Sequence, residues 1–155
     1  MLPESQLDRF MIRLSMGYPS HEAAIQILKG QENIPLNSIC RMVTIDELCS
    51  LQEKVNTLKV HDSIFDYIVT LVEATRDSEY FSMGASPRGA NALLRMSRAM
   101  AVLNGRKFVT PEDIAQVFND VLGHRVHMSA KARANGLTVD AALDNIKSSV
   151  KVPRT

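Results

Sequence analysis

The chain has 155 residues, 45% of them hydrophobic and 23% charged, with 5% aromatic and no Trp, which leaves room for one globular core of ordinary size. Eighteen basic against seventeen acidic residues give a formal charge of +1, excluding a protein whose main business is wrapping nucleic acid. No apolar run approaches the roughly 20 residues of a membrane span and no signal-peptide layout opens the chain, so no membrane span and a cytoplasmic location are expected.

The opening Leu2-Pro3-Glu4-Ser5-Gln6-Leu7-Asp8-Arg9-Phe10 reads like the interior of a folded unit and predicts that the chain is part of a larger protein. Phe10, Ile12, Leu14 and Met16 alternate with Arg13 and Ser15, which predicts a strand over 10–16. A lone strand must pair outside the chain or lie against helices. From Ser20 onward the pattern is helical. Ser20 caps a short helix carrying Ala24, Ile25 and Leu28 and ending near Gly30, and residues 31–43 read as loop. Thr44-Ile45-Asp46-Glu47 is a capping box, followed by Leu48, Leu51, Val55 and Leu58 on one face. Asp62 or Ser63 caps a longer helix striped by Ile64, Ile68, Leu71, Val72 and Thr75, and residues 76–83 read as loop.

Gly84-Ala85-Ser86-Pro87-Arg88-Gly89 then opens the next helix. Ser86 is a good N-cap, its hydroxyl able to accept from an N–H one turn in. Pro87 falls at the first helical position. Arg88 is left beside the positive end of the helix dipole, unfavourable by roughly 0.3–1 kcal/mol when exposed. An anion bound at the same place removes the conflict; a guanidinium simply extending into water is the plain alternative. This helix carries Ala90, Leu93, Leu94, Ser97, Met100 and Ala101 and stops at Asn104-Gly105. Thr110-Pro111-Glu112-Asp113 starts another, faced by Ile114, Val117, Phe118, Val121 and Leu122. A basic stretch from His124 to Arg133 follows, and Thr138 caps a last helix with Val139, Ala142, Leu143 and Ile146. The whole predicts a mainly α, compact helical bundle of six helices with amphipathic stripes as core.

Little in the residues points to self-sufficient chemistry. Neither G-x-x-x-x-G-K-[ST] nor G-x-G-x-x-G occurs. Cys40 and Cys49 lack a zinc-ligand pattern and read as free thiols, Cys49 as small-residue packing. His124 and His127 stand three apart without a third ligand candidate nearby, so no metal site is expected. A helix-turn-helix DNA binder fails on charge.

Two segments resemble one family. Leu2 to Phe10, with Gly17-Tyr18-Pro19-Ser20 after it, is similar to the stretch that ends the ATPase core of MoxR-type AAA+ proteins. Gly84-Ala85-Ser86-Pro87-Arg88, Gly105-Arg106 and Val109-Thr110-Pro111-Glu112-Asp113 resemble the helical lid of the same family, and His124-Arg125-Val126 and Val152-Pro153-Arg154 also fit. The resemblance implies residues 1–19 as the truncated end of the core and 20–155 as the lid. It implies a chaperone-like, ring-forming ATPase using ATP and Mg2+ in the full-length protein, with none expected on this segment alone. Arg88, set by Ser86 and Pro87, would be the lid's sensor for the nucleotide phosphates. Arg9 would be the arginine finger reaching a neighbouring subunit's nucleotide, worth roughly 10³–10⁵ in rate. The partners implied are the ATPase core of the same chain, neighbouring ring subunits and an unidentified client protein. Lacking Walker A and Walker B, the segment should be inactive alone. The alternative reading is a stand-alone interaction module that binds a protein or an acidic ligand through His124–Arg133.

Overall fold

The computed structural model describes residues 3–30 and 38–153. The 31–37 part of the predicted loop, Leu2 of the opening motif and Arg154 of the closing one lie outside the described residues. Those described form helices α1 (Glu4–Leu7), α2 (His21–Leu28), α3 (Ile45–Thr57), α4 (Asp62–Asp77), α5 (Pro87–Leu103), α6 (Pro111–Leu122), α7 (Ala130–Ala134) and α8 (Val139–Ser149), with strands β1 (Phe81–Met83) and β2 (His127–Met128). The protein is mainly α. By contact it divides into two units, one of Met1–Arg13 with Glu53–Thr155 and one of Leu14–Gln52.

In the first unit, α5 packs on α4 and α6, and α8 packs on α4 and α6. Residues spaced three and four apart line one face of each helix. Ile64, Leu71, Leu93, Ile114, Phe118, Leu122 and Leu143 are all fully buried. Helix ends follow local chemistry. Helix α5 stops in a Schellman turn: Gly105, at φ +70, donates to the Val102 carbonyl and Arg106 to that of Ala101. At the start of α6, Asp113 is fully buried, accepts the Thr110 N–H at 2.9 Å and pairs with Arg106. Helix α4 is capped by His61, whose Nδ1 accepts the Ser63 N–H at 3.2 Å, and not by Asp62 or Ser63 as expected.

Three further expectations are corrected. Residues 10–16 form no strand; Ile12 alone of the alternating set packs on the core, and the Arg13 N–H donates to the Asp120 carbonyl at the end of α6. The 76–83 loop and the basic stretch instead contribute a two-stranded antiparallel ribbon, pairing Phe81 with Met128 and Met83 with His127. In the second unit the stripes are not core. Ser20 and the Thr44–Glu47 box cap α2 and α3 as read, yet no described residue of 14–52 is buried.

Gly84 lies against the end of α4, where an added Cβ would stand 2.6 Å from the Arg76 nitrogen and 2.7 Å from its Cα. Those are backbone atoms of a helix and cannot swing aside. Gly84→Ala is expected to destabilise the chain by about 2 kcal/mol, measured as a lower urea midpoint at unchanged slope.

Candidate functional site

The Gly84–Arg88 turn is fastened to α4 from both sides of one residue. The Ala85 N–H donates to Thr75 Oγ1 at 2.9 Å, and its carbonyl accepts from Arg76 Nε at 2.8 Å. Thr75 sits on the buried stripe with no solvent contact, so its hydroxyl offers a fixed acceptor. Ser86 takes the N-cap position of α5, but its hydroxyl makes no cap bond. It donates instead to Asp8, 3.2 Å from either carboxylate oxygen. Pro87 is exposed. Arg88 Nη1 stands 3.8 Å from Asp8 Oδ2 with its side chain 56% exposed, too long for a charge-assisted hydrogen bond. An anion does face the positive end of α5, then, and it is a carboxylate from the opening segment.

Arg9 follows Asp8 in the turn after α1. Its N–H donates to the Gln6 carbonyl at 3.1 Å, and its exposed side chain borders a shallow depression with Ser5, Gln6 and Phe10. The structure thus brings the Arg9 turn, Ser86 and Arg88 together around Asp8.

What holds that turn is Arg125, which sequence reasoning placed in a motif without a role. Its side chain is 1% exposed. Nε donates to Asp8 Oδ1, Nη1 to the Met11 and Val121 carbonyls, and Nη2 to those of Asp8 and Phe10. A guanidinium has five N–H groups, and each has an acceptor here. Burial pulls the Arg125 guanidinium below its ordinary pKa, and the Asp8 carboxylate works against that shift. The same arrangement completes the end of α6, whose last carbonyls lack helical partners. Asn119 accepts from the Gly123 N–H, Asp120 from Arg13, Val121 from the Arg125 guanidinium and Leu122 from the Arg125 N–H. A cation there also suits the dipole. One sequence signal pointed this way: Arg125 continues the Phe118, Val121, Leu122 stripe at helical spacing, so it starts from the buried face.

The basic stretch is therefore not a continuous solvated face. Arg125, Met128 and Ala132 are buried, and Lys131 pairs with Glu79 at 2.7 Å. His124 Nε2 lies 3.0 Å from the Phe10 carbonyl, which fixes the proton on that nitrogen, and Nδ1 is buried without a hydrogen bond. Among the described residues no group of three or more His, Cys, Asp or Glu is placed to hold a metal ion.

Residues 73–146 match the family model described as the AAA lid domain. The chain is 37% identical over 153 residues to the uncharacterized protein YeaC of Bacillus subtilis, covering 98% of this chain and 48% of that protein. It is 32% identical over 162 residues to the chaperone MoxR1 of Mycobacterium tuberculosis, covering 99% and 43% respectively. A crystal structure of a candidate ATPase from Cytophaga hutchinsonii superposes with a TM-score of 0.87 at 30% identity, covering 99% of this chain and 50% of that one. The chain spans about half the length of the curated relatives it matches.

His124 gives the site a pH dependence. Burial, then the nearby Arg125 and Arg13 charges, hold its pKa below the ordinary value. The unfolded chain takes up that proton near pH 6.5, at about the unperturbed pKa, whereas the folded chain resists it. Stability is thus intact above that pH and is lost as pH falls toward the folded pKa. The melting temperature of the native chain should drop more between about pH 7 and pH 5 than that of His124→Gln, which keeps a donor for Phe10 without titrating.

Proposed function

Because the chain belongs to the MoxR-type AAA+ ATPases and carries their lid, we propose that it supplies Arg88 and Arg9 to ATP hydrolysis by a longer protein. One observation carries this reading. Arg88 stands at the positive end of α5, its side chain 56% exposed and its Nη1 3.8 Å from Asp8. Donors are left to bind phosphate oxygens in the paired geometry that a guanidinium favours. When bound, ATP with Mg2+ supplies the phosphoryl group that is transferred.

Arg88, oriented by Ser86 and Pro87, binds and orients the phosphates, so that lid position depends on whether the terminal phosphate is present. Arg9, exposed on its turn, reaches the nucleotide of a neighbouring ring subunit and stabilises charge developing on the phosphoryl oxygens. The chain's own sequence has no phosphate-binding loop, so the remaining parts come from the ATPase core of the same protein. The surface of residues 14–52 supports such a partner. Met16, Leu28, Met42 and Ile45 are at least 80% exposed, apolar side chains that a further body could cover. The output we assign is chaperone-like remodelling or activation of a client protein in the cytoplasm. The name of the mycobacterial relative supports the chaperone-like output, and the free thiols of Cys40 and Cys49 suit a reducing compartment.

In the full-length protein, Arg88→Ala should lower ATP turnover by at least about tenfold. The melting temperature should stay within about 3 °C, since an exposed ion pair contributes little. Unchanged turnover removes the sensor role, and collapse of both quantities makes Arg88 structural. Subunits carrying Arg9→Ala keep a phosphate loop, and subunits lacking a working phosphate loop keep Arg9, so mixing the two inactive variants should restore hydrolysis where the second donates its arginine to the first. No restoration sinks the finger assignment.

A further inference from the structure

We propose that Asp8 and Arg125 are a positioning pair that fastens the turn bearing Arg9 to the helix bearing Arg88, so that finger and phosphate reader move as one body. This rests on the roles proposed above for Arg9 and Arg88. Asp8 is the covalent neighbour of Arg9, and its carboxylate is the meeting point of Arg125 Nε at 3.2 Å, Ser86 Oγ at 3.2 Å and Arg88 Nη1 at 3.8 Å. Two of those three groups belong to the first turn of α5 or its cap. The third reaches Asp8 from beyond the end of α6, a residue separation of 117.

Nothing local holds the Arg9 turn this well. Helix α1 has four residues, far below the length at which a helix is stable alone. The remaining anchors of residues 8–13 are Ile12, packed on the core, and bonds to the backbone: Arg125 to the carbonyls of Asp8, Phe10 and Met11, His124 to that of Phe10, and Asp120 accepting from Arg13. They hold the segment to the end of α6, and none of these bonds comes from α5. Asp8 adds that link, its carboxylate taking Ser86 at the cap of α5 together with Arg125 beyond α6. A misplacement of about 1 Å in a reacting group can cost about a hundredfold in rate, so a side chain that touches no phosphate can still govern the finger.

The test begins with amide hydrogen exchange on this chain. In Asp8→Ala the amides of Arg9, Phe10 and Arg13, bonded to Gln6, Leu7 and Asp120, should exchange at least about tenfold faster. Those in the buried parts of α4 and α6 should not change, and Asp8→Asn, which keeps an acceptor oxygen, should restore part of the protection. In the full-length protein, phosphate-loop-deficient subunits that also carry Asp8→Ala should donate a finger poorly, restoring less hydrolysis to Arg9→Ala subunits than loop-deficient subunits with Asp8 intact. Subunits carrying Asp8→Ala alone should keep their KM for ATP within about twofold. Unchanged exchange at Arg9 and Phe10, a uniform rise across α4 and α6, or normal finger donation by Asp8→Ala each overturns the proposal. If Arg9→Ala itself donates normally, the finger role has failed, and the exchange pattern still decides whether the pair holds the turn. Asp8 is the chosen position because Arg125→Met removes five hydrogen bonds at once, and the lost fold would mask the question.

Discussion

A guanidinium shut away from water governs how the opening segment meets the helices. Isolating such a charge costs several kcal/mol, and only dense hydrogen bonding returns it. Arg125 meets that condition with a carboxylate oxygen and four backbone carbonyls. Three of the carbonyls belong to residues 8–11, so burying the arginine and docking the segment are one event. Lysine offers three donors on a flexible stem and could not serve the same acceptors. Gly89 belongs to the same arrangement. A Cβ there would lie 3.3 Å from Arg125 Cδ and 3.2 Å from Leu122 Cδ2, so the arginine's aliphatic stem passes close over the start of α5.

From this fixed point the site is built by relays of side-chain hydrogen bonds rather than by a pocket. Thr75 and Arg76 at the end of α4 hold Ala85, Ala85 sets Ser86, and Ser86 turns to Asp8. The ribbon works on the other side, with Ser129 N–H donating to Tyr80 and Ser129 Oγ to Glu79, each at 2.8 Å. It ties the connection before α5 to the one after α6. Arg88 and Arg9 are thus the exposed tips of a scaffold whose other members are buried or bonded.

Much of this scaffold could be read from the residues. Helices α4, α5, α6 and α8 announce themselves because period, caps and Gly stops agree, as at Thr110-Pro111 and Asn104-Gly105. Residues 10–16 misled because alternation reports a period and not a partner. Their one ladder-like bond runs from Arg13 to a helix carbonyl. The β1–β2 ribbon was beyond reach, being three residues against two and set by where α5 and α6 place its ends. The stripes of α2 and of the start of α3 were visible as amphipathic, but period alone does not say which body covers them. At the site, Arg88 and Ser86 were visible because they conflict with or complete a helix start. The pairing of Asp8 with Arg125 was not: helical spacing puts Arg125 on the buried face, but an ion pair across 117 positions leaves no local trace of its partner.

The anchoring of residues 3–13 beside 53–153 makes Leu14–Gln52 an excursion whose two ends are held by the rest of the fold. Entropy of closure rises only logarithmically with the length of such a detour, about 0.6 kcal/mol per doubling. Lengthening or shortening it therefore weighs little against the pair of anchors, provided its ends still reach them. Leu14–Gln52 is consequently a stretch where insertions can be accepted and new recognition surface gained, while the arginine geometry on either side stays as it is.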